Sequence, residues 1–156
     1  MALFNMTDLR ARLTRGQRLL GIDPGSKTVG LALSDVTLML ASPFAQMPRG
    51  KLSGMAAEIG RIARKQEVGG LVIGLPLSMD GSAGPAAQAA RDWAHAVSDA
   101  TGLPAALFDE RLSSSAVNRF LKDDADFSRR KRAELVDQMA AAYMLQAALD
   151  ASRAQG

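Results

Sequence analysis

Residues 18–35 read RLLGIDPGSKTVGLALSD. Two short apolar runs stand here, Arg18–Asp23 and Val29–Ser34, and the short connection PGSKT joins them. Short apolar runs bounded by turn residues read as strands. Gly25 in so brief a connection makes a hairpin. A third run, Leu38–Gln46, is interrupted by Pro43 and follows Asp35 closely. The simplest arrangement is three antiparallel strands in a meander. The first strand ends on an acid, Asp23, which is costly at the end of a buried strand unless it is paired or holds a cation. Next to it, Lys27 offers a phosphate contact. The alternative is a solvated hairpin in which Asp23 caps the turn.

After the meander the apolar period changes. Leu52, Met55, Ala56, Ile59, Ile62 and Ala63 are spaced three and four apart, which predicts an amphipathic helix over Leu52–Gln66. Gly69–Leu75, GGLVIGL, reads as a central strand buried on both faces and parallel to a neighbour. Ala86–Thr101 is a helix closed by Gly102 and Pro104. Ala105–Asp109 is a short buried strand. Ser113–Lys122 is helical, with serines to cap it. Lys122–Lys131 is a polar loop, and Arg132–Ala151 a long helix. The order βββ-α-β-α-β-α-α gives an α/β fold: a mixed five-stranded sheet flanked by helices.

Composition narrows the chemistry. The 156 residues suit one domain, and the chain has no cysteine and one histidine, His95. That excludes a thiolate nucleophile, a disulfide framework and a four-ligand structural zinc site. A Ser-His-Asp triad would rest on His95 alone, which lies mid-helix and reads as a surface or packing residue. Aromatic content of 4% argues against extended base stacking. The net charge is +3, and arginines outnumber lysines 14 to five. Arginine grips phosphate with two prongs, so the bias points to nucleic acid or phosphate. The basic residues cluster, at Arg10, Arg12, Arg15 and Arg18 and again at Arg129, Arg130, Lys131 and Arg132. No segment is apolar and long enough to span a membrane: the longest uncharged stretch, Val36 to Pro48, has 13 residues and two prolines. The first 17 residues lack the pattern of a signal peptide. They read as an extension with a short amphipathic helix, Leu3, Leu9 and Leu13 on one side. The expected location is the cytoplasm.

Three further segments carry candidate chemistry. GLPLSMDGSAGP, from Gly74 to Pro85, follows a central strand and opens a helix. Backbone amides there suit an anion, and the alternative is an ordinary connecting loop. FDERLSS sets Asp109, Glu110 and Arg111 at the end of another strand, where a rim salt bridge is the competing reading. In ELVDQMAAAYMLQ, Asp137 sits among apolar neighbours, as a ligand or as an interhelical hydrogen-bond partner. Strand ends sharing one sheet edge converge on one crevice. Asp23, Asp109, Glu110 and Asp137 together suggest coordination of a hard cation, magnesium or manganese. Two such ions can clamp a scissile phosphate.

The segments GIDPGSKTVGLALSD, VIGLPLSMDGSAGPAA, FDERLSSSAV and SRRKRAELVDQMAAAYMLQ, in this order, resemble the YqgF/RuvX family. Its members are described as Holliday junction resolvase-like proteins and as candidate pre-16S rRNA nucleases. The resemblance runs from about Arg18 to Asp150. It implies an RNase H-like fold with sheet order 3-2-1-4-5, one nuclease domain over residues 18–152. It implies an active site of Asp23, Glu110 (or its neighbour Asp109) and Asp137, with Asp23, Glu110 and Asp137 holding Mg2+ or Mn2+. Lys27, Arg111, Arg129, Arg130, Lys131 and Arg132 would hold the nucleic-acid backbone, with Gly81 and Ser82 near it. RuvC-type resolvases carry a catalytic glutamate at the end of the fourth strand, where this chain has Gly74. The implied task is processing of the 5′ end of pre-16S rRNA, on structured RNA or precursor ribosomal particles, as monomer or homodimer. Resolution of four-way DNA and non-catalytic RNA binding in ribosome assembly are the competing readings.

Overall fold

A computed structural model describes residues 3–25, 27–75, 85–109 and 129–153, with the backbone alone for residue 86 and residues 129–138. In chain order the elements are β1 (Leu3–Phe4), α1 (Met6–Arg12), β2 (Arg18–Pro24), β3 (Thr28–Ser34), β4 (Ala41–Pro48), α2 (Leu52–Gln66), β5 (Val68–Leu75), α3 (Pro85–Thr101), β6 (Ala105–Asp109) and α4 (Arg129–Arg153). The sheet order is β1-β6-β5-β2-β3-β4. The antiparallel meander is β2-β3-β4, and β5 pairs parallel with both β2 and β6. This is the expected 3-2-1-4-5 order with one strand more. Leu3 and Phe4 pair parallel with Ala105 and Ala106, so among the described residues the sheet has six strands where five were expected.

Alternation along the strands splits the core in two. Leu20, Ile22, Val29, Leu31, Leu71 and Ile73 face one side, where Met55, Ile59 and Ile62 of α2 and Ala94 and Val97 of α3 cover them. Leu19, Ala32, Val72 and Ala106 face the other, under Ala141, Met144, Leu145, Ala148 and Leu149 of α4 and Leu9 of α1. Both faces of the central strands are therefore dry, which is why β5 is an unbroken apolar run.

The first residues enter the core. Asn5 caps α1 by accepting from the Asp8 amide at 2.7 Å. Leu9 is fully buried, whereas Leu3 belongs to a strand and not to the helix the spacing suggested. The Arg10 guanidinium donates to Ser152 Oγ at 3.1 Å and to the Leu38 and Leu149 carbonyls at 3.5 Å. It thereby ties α1 to the carboxyl end of α4, where orphan carbonyls favour a cation. Arg10→Ala is expected to cost about 1–2 kcal/mol in urea denaturation, because these acceptors lose a charged donor.

Two boundaries differ by three residues from the sequence reading. The run 38–46 does not start as a strand; β4 begins at Ala41. Asp35 intervenes. Its Oδ1 accepts from the amides of Met39 at 2.9 Å and Leu40 at 3.1 Å, its Oδ2 from the Thr37 hydroxyl. A short acid offering such local partners competes with the ladder and makes a turn. The Thr37 hydroxyl first, then the Leu40 and Met39 amides, hold the Asp35 carboxyl at about 2, below its ordinary 3.8. A depressed acid stabilises the fold above its unfolded value and loses that contribution as pH falls through the folded one. Amide protection at Met39 and Leu40 is therefore expected to hold down to about pH 4 and to fade towards pH 2, read by hydrogen exchange.

The last helix begins at Arg129, so 129–131 form its first turn and not a loop. Four consecutive basic residues then stand at the positive end of the helix dipole, which concentrates positive potential there. The expected helix over 113–122, the loop up to residue 128 and the 81–84 loop lie outside the described residues. Among the described residues no helix is long and apolar enough to cross a membrane.

Candidate active site at the carboxyl ends of β2, β5 and β6

The three parallel strands end at one edge of the sheet, and the sequence puts acids there. Asp23 is half-buried near the end of β2, paired across the meander with Gly30. Position parity gives its direction. Gly21, two residues earlier, lies against α4: a β-carbon added there would sit 2.9 Å from Leu145 Cβ and 3.4 Å from the Ala141 carbonyl oxygen. Side chains two apart on a strand share a face, so Asp23 is on the α4 side.

The same contact sets the register of the helix. Arg10 and Gln146 fix the later part of α4 near α1 and the start of β4. The helix thus runs back over β2, and its amino-terminal turns approach the end where Asp23 stands. Asp137 precedes Ala141 by four residues, one turn of α4. A β-carbon on Gly21 would lie 3.4 Å from the Ala141 carbonyl oxygen, and a step of two residues along β2 and one turn back along α4 covers roughly 6–7 Å in each element. The backbone of α4 at residue 137 thereby runs towards the edge where β2 ends.

Asp109 falls differently. It ends β6, two strands from β2, or roughly 10 Å across the sheet. Ala106 and Phe108 pack on the α4 side, Leu107 on the α2–α3 side. Alternation puts Asp109 with Leu107, on the face away from Asp23. Gly74 pairs with Phe108, and Ile73 pairs with Ile22, so Gly74 is level with Asp23 at the edge of the sheet. Glu110, Arg111, Gly81 and Ser82 lie outside the described residues. Among the described residues, no group of three or more His, Cys, Asp or Glu is placed to hold a metal. The donor at hand, Asp23, offers carboxylate oxygens, which suit a hard cation.

The hairpin after Asp23 is tightly built. The Gly25 amide donates to the Thr28 carbonyl at 2.9 Å, and a β-carbon on Gly25 would come within 2.6 Å of that oxygen. Lys27 is exposed at its tip. Arg49, just past β4, holds the hairpin from outside. Its amide donates to the Lys27 carbonyl at 2.8 Å and its guanidinium to the Gly25 carbonyl at 2.7 Å. The same guanidinium lies 5.8 Å from the Trp93 ring centre. Sequence reasoning missed Arg49, because a single arginine after Pro48 carries no motif; only the fold puts it beside residues 25–27. His95 is exposed on α3, as its position mid-helix suggested. A groove of about 430 Å3, lined by Arg15, Gln17, Arg64 and Glu67 among others, lies at the opposite end of the sheet and includes none of the candidate acids.

Known proteins match this architecture and this sequence. The RuvC of T. thermophilus, solved in complex with a Holliday junction substrate, superimposes with a TM-score of 0.55 at 17% identity, over 90% of this chain and 98% of that one. That likeness is one of fold. A protein of Gluconacetobacter diazotrophicus named "Putative pre-16S rRNA nuclease" is 69% identical over 97% of this chain and 99% of its own length. One of the same name from Gluconobacter oxydans is 65% identical over 98% and 96%. The family model for RuvX, described as Holliday junction resolvase, matches residues 17–151. With its four motifs on the strands and helix that build this edge, the chain belongs to the RuvX family.

Proposed function

We infer that the protein is a metal-dependent nuclease of structured RNA that processes the 5′ end of pre-16S rRNA in the cytoplasm, on precursor ribosomal particles. The observation that supports this is the close approach of α4 to β2 at Gly21, where a β-carbon would stand 2.9 Å from Leu145 Cβ; on that approach Asp23 and Asp137 would share one edge. The names of relatives identical at 65–69% supply the substrate class. Asp23, Glu110 and Asp137 would hold one or two Mg2+ (or Mn2+) ions. Such ions, when bound, stabilise charge on the scissile phosphate and supply hydroxide at neutral pH. Glu110 is the better third acid, because strand parity turns Asp109 to the other face. Lys27 on the hairpin, Arg111, and Arg129, Arg130, Lys131 and Arg132 would grip the phosphodiester backbone, with Gly81 and Ser82 beside it. Arg49 keeps the hairpin, and so Lys27, in place. The domain is proposed to comprise residues 18–152, with residues 1–17 as an extension that adds a strand and a helix.

Cleavage of four-way DNA is the second reading, favoured by the family description and the RuvC fold. One experiment separates the readings. Purified protein is incubated with precursor 16S rRNA and with a four-way junction, each with magnesium and with chelator. Cleavage of the RNA that chelator abolishes is expected. Symmetric nicking of the junction with intact RNA favours the resolvase, and binding without cleavage of either overturns the enzyme reading.

A further inference from the structure

Among the described residues, two buried side-chain polar atoms lack a hydrogen-bond partner, Gln46 Oε1 and Trp93 Nε1. Such orphans are rare, because their lost hydration is not repaid. Trp93 packs against the core on the α2–α3 side, away from Asp23. Gln46 is half-buried on β4 and faces the other way. Its neighbours Ala45 and Met47 both belong to the α2–α3 side, so alternation turns Gln46 to the α4 side. The register then sets it in one row with the candidate acid: Asp23 pairs with Gly30, and Gly30 pairs with Gln46. Directly paired residues share a face. The middle member of the row is a glycine, so it puts no side chain between Asp23 and Gln46. Their backbones stand two strand spacings apart, or roughly 10 Å. Gln146 bonds the Ala41 amide and Met139 lines a groove with Pro43, so α4, followed backwards, runs along β4 towards Gln46.

We propose that Gln46 is the residue of this site that reads the sugar, its Oε1 accepting from the 2′-hydroxyl of a nucleotide whose phosphate lies at Asp23. The proposal rests on the reading of the protein as an RNA nuclease at this edge, and it names what makes the site choose RNA. The chemistry of the orphan selects the ligand group. An amide oxygen accepts and does not donate. Along a nucleic-acid backbone the phosphate oxygens accept too, whereas the 2′-hydroxyl can donate, and DNA lacks it. A neutral acceptor also suits a place beside a phosphate, because it adds no negative charge next to Asp23. Cations such as Lys27 would hold the phosphates, and Gln46 would register the sugar.

The test compares two proteins on two substrates. The native chain and Gln46→Met receive one structured RNA, either all-ribose or with 2′-deoxy nucleotides around its mapped cleavage site. Single-turnover cleavage with magnesium is measured. The native chain is expected to cleave the all-ribose strand about tenfold faster, the worth of one hydrogen bond. Gln46→Met should lose about that factor on the all-ribose strand and show no preference between the two. Both changes delete the same bond, so their effects should not add. Methionine is close in size and leaves no orphan acceptor, so the urea midpoint should hold or rise. Equal slowing on both substrates with a lowered midpoint is the mark of a packing role and overturns the proposal. So does a native chain without preference, or a preference that Gln46→Met retains; both leave the nuclease reading intact. A native chain that cleaves no RNA removes that reading, and the proposal with it.

Discussion

Asp23→Asn is expected to lower RNA cleavage by about a thousandfold or more, equivalent to about 4 kcal/mol of transition-state stabilisation. Asparagine keeps the size and one oxygen of the aspartate but removes its charge, and a neutral amide oxygen binds a hard cation more weakly than a carboxylate does. The fold should survive. Asp23 is only half-buried, and the packing of β2 rests on Leu19, Leu20 and Ile22. A shift in thermal midpoint of no more than about 2–4 °C is the expected range for a substitution costing under 1 kcal/mol. The informative comparison pairs Glu110→Gln with Asp109→Asn. The first should lose activity nearly as Asp23→Asn does. The second should keep most of it, because Asp109 stands with Leu107 on the opposite face of the sheet. Single-turnover cleavage of one RNA by all three variants decides it. Full activity in Asp23→Asn would remove the proposed mechanism, and a reversed order of Asp109 and Glu110 would remove the parity argument.

Gly21→Val should destabilise the protein by about 3 kcal/mol, the upper part of the range for overpacking a tight core. The first added carbon would stand 2.9 Å from Leu145 Cβ and 3.3 Å from its Cδ2. A β-carbon is fixed to the helix backbone, so relief requires α4 to move outward. Asp137 rides on that helix, one turn before the contact. A displacement of about 1 Å in a catalytic group commonly costs up to about a hundredfold. Loss of cleavage is therefore expected at temperatures where the variant is still folded, as checked by urea melts alongside the assay. Leu145→Ala in the same chain keeps the β-carbon that clashes and should not restore the activity, whereas Leu145→Gly removes it and should restore part. A neutral Gly21→Val would mean that something other than this close approach seats α4.

The two substitutions also mark how much could be read in advance. Asp23 was legible as a candidate because an acid closing an apolar strand is expensive and therefore informative. Gly21 was not, although it stands two residues away in the same motif. A glycine in a strand is compatible with a bulge, a bend or a close neighbour, and no local pattern tells these apart. The three-stranded meander, α2 and β6 were predicted to within a residue or three because period and punctuation are local properties. The failures have local causes as well. Asp35 turned 38–40 out of the strand by accepting from the Met39 and Leu40 amides, a side-chain competition that apolar periodicity does not register. The first strand, two residues long, exists only because β6 supplies its partner.

What the sequence by itself determined is the set of chemistries available. Without cysteine and with a single histidine, carboxylates and arginines were left to do the work, and the apolar runs already placed three of the four candidate acids, Asp23, Asp109 and Glu110, at strand ends. The tertiary structure decided on which face each of them stands. Asp23 and Asp137 are more than a hundred positions apart in the chain, and the proposed site depends on α4 packing back over a strand that is glycine where the helix comes closest. Asp109 and Glu110 are neighbours in sequence, and the pleat of β6 turns Asp109 to the face away from Asp23. Side-chain direction alternates with a period of two, and long-range packing fixes which face is which. Neither is a property of composition, and both depend on the completed sheet.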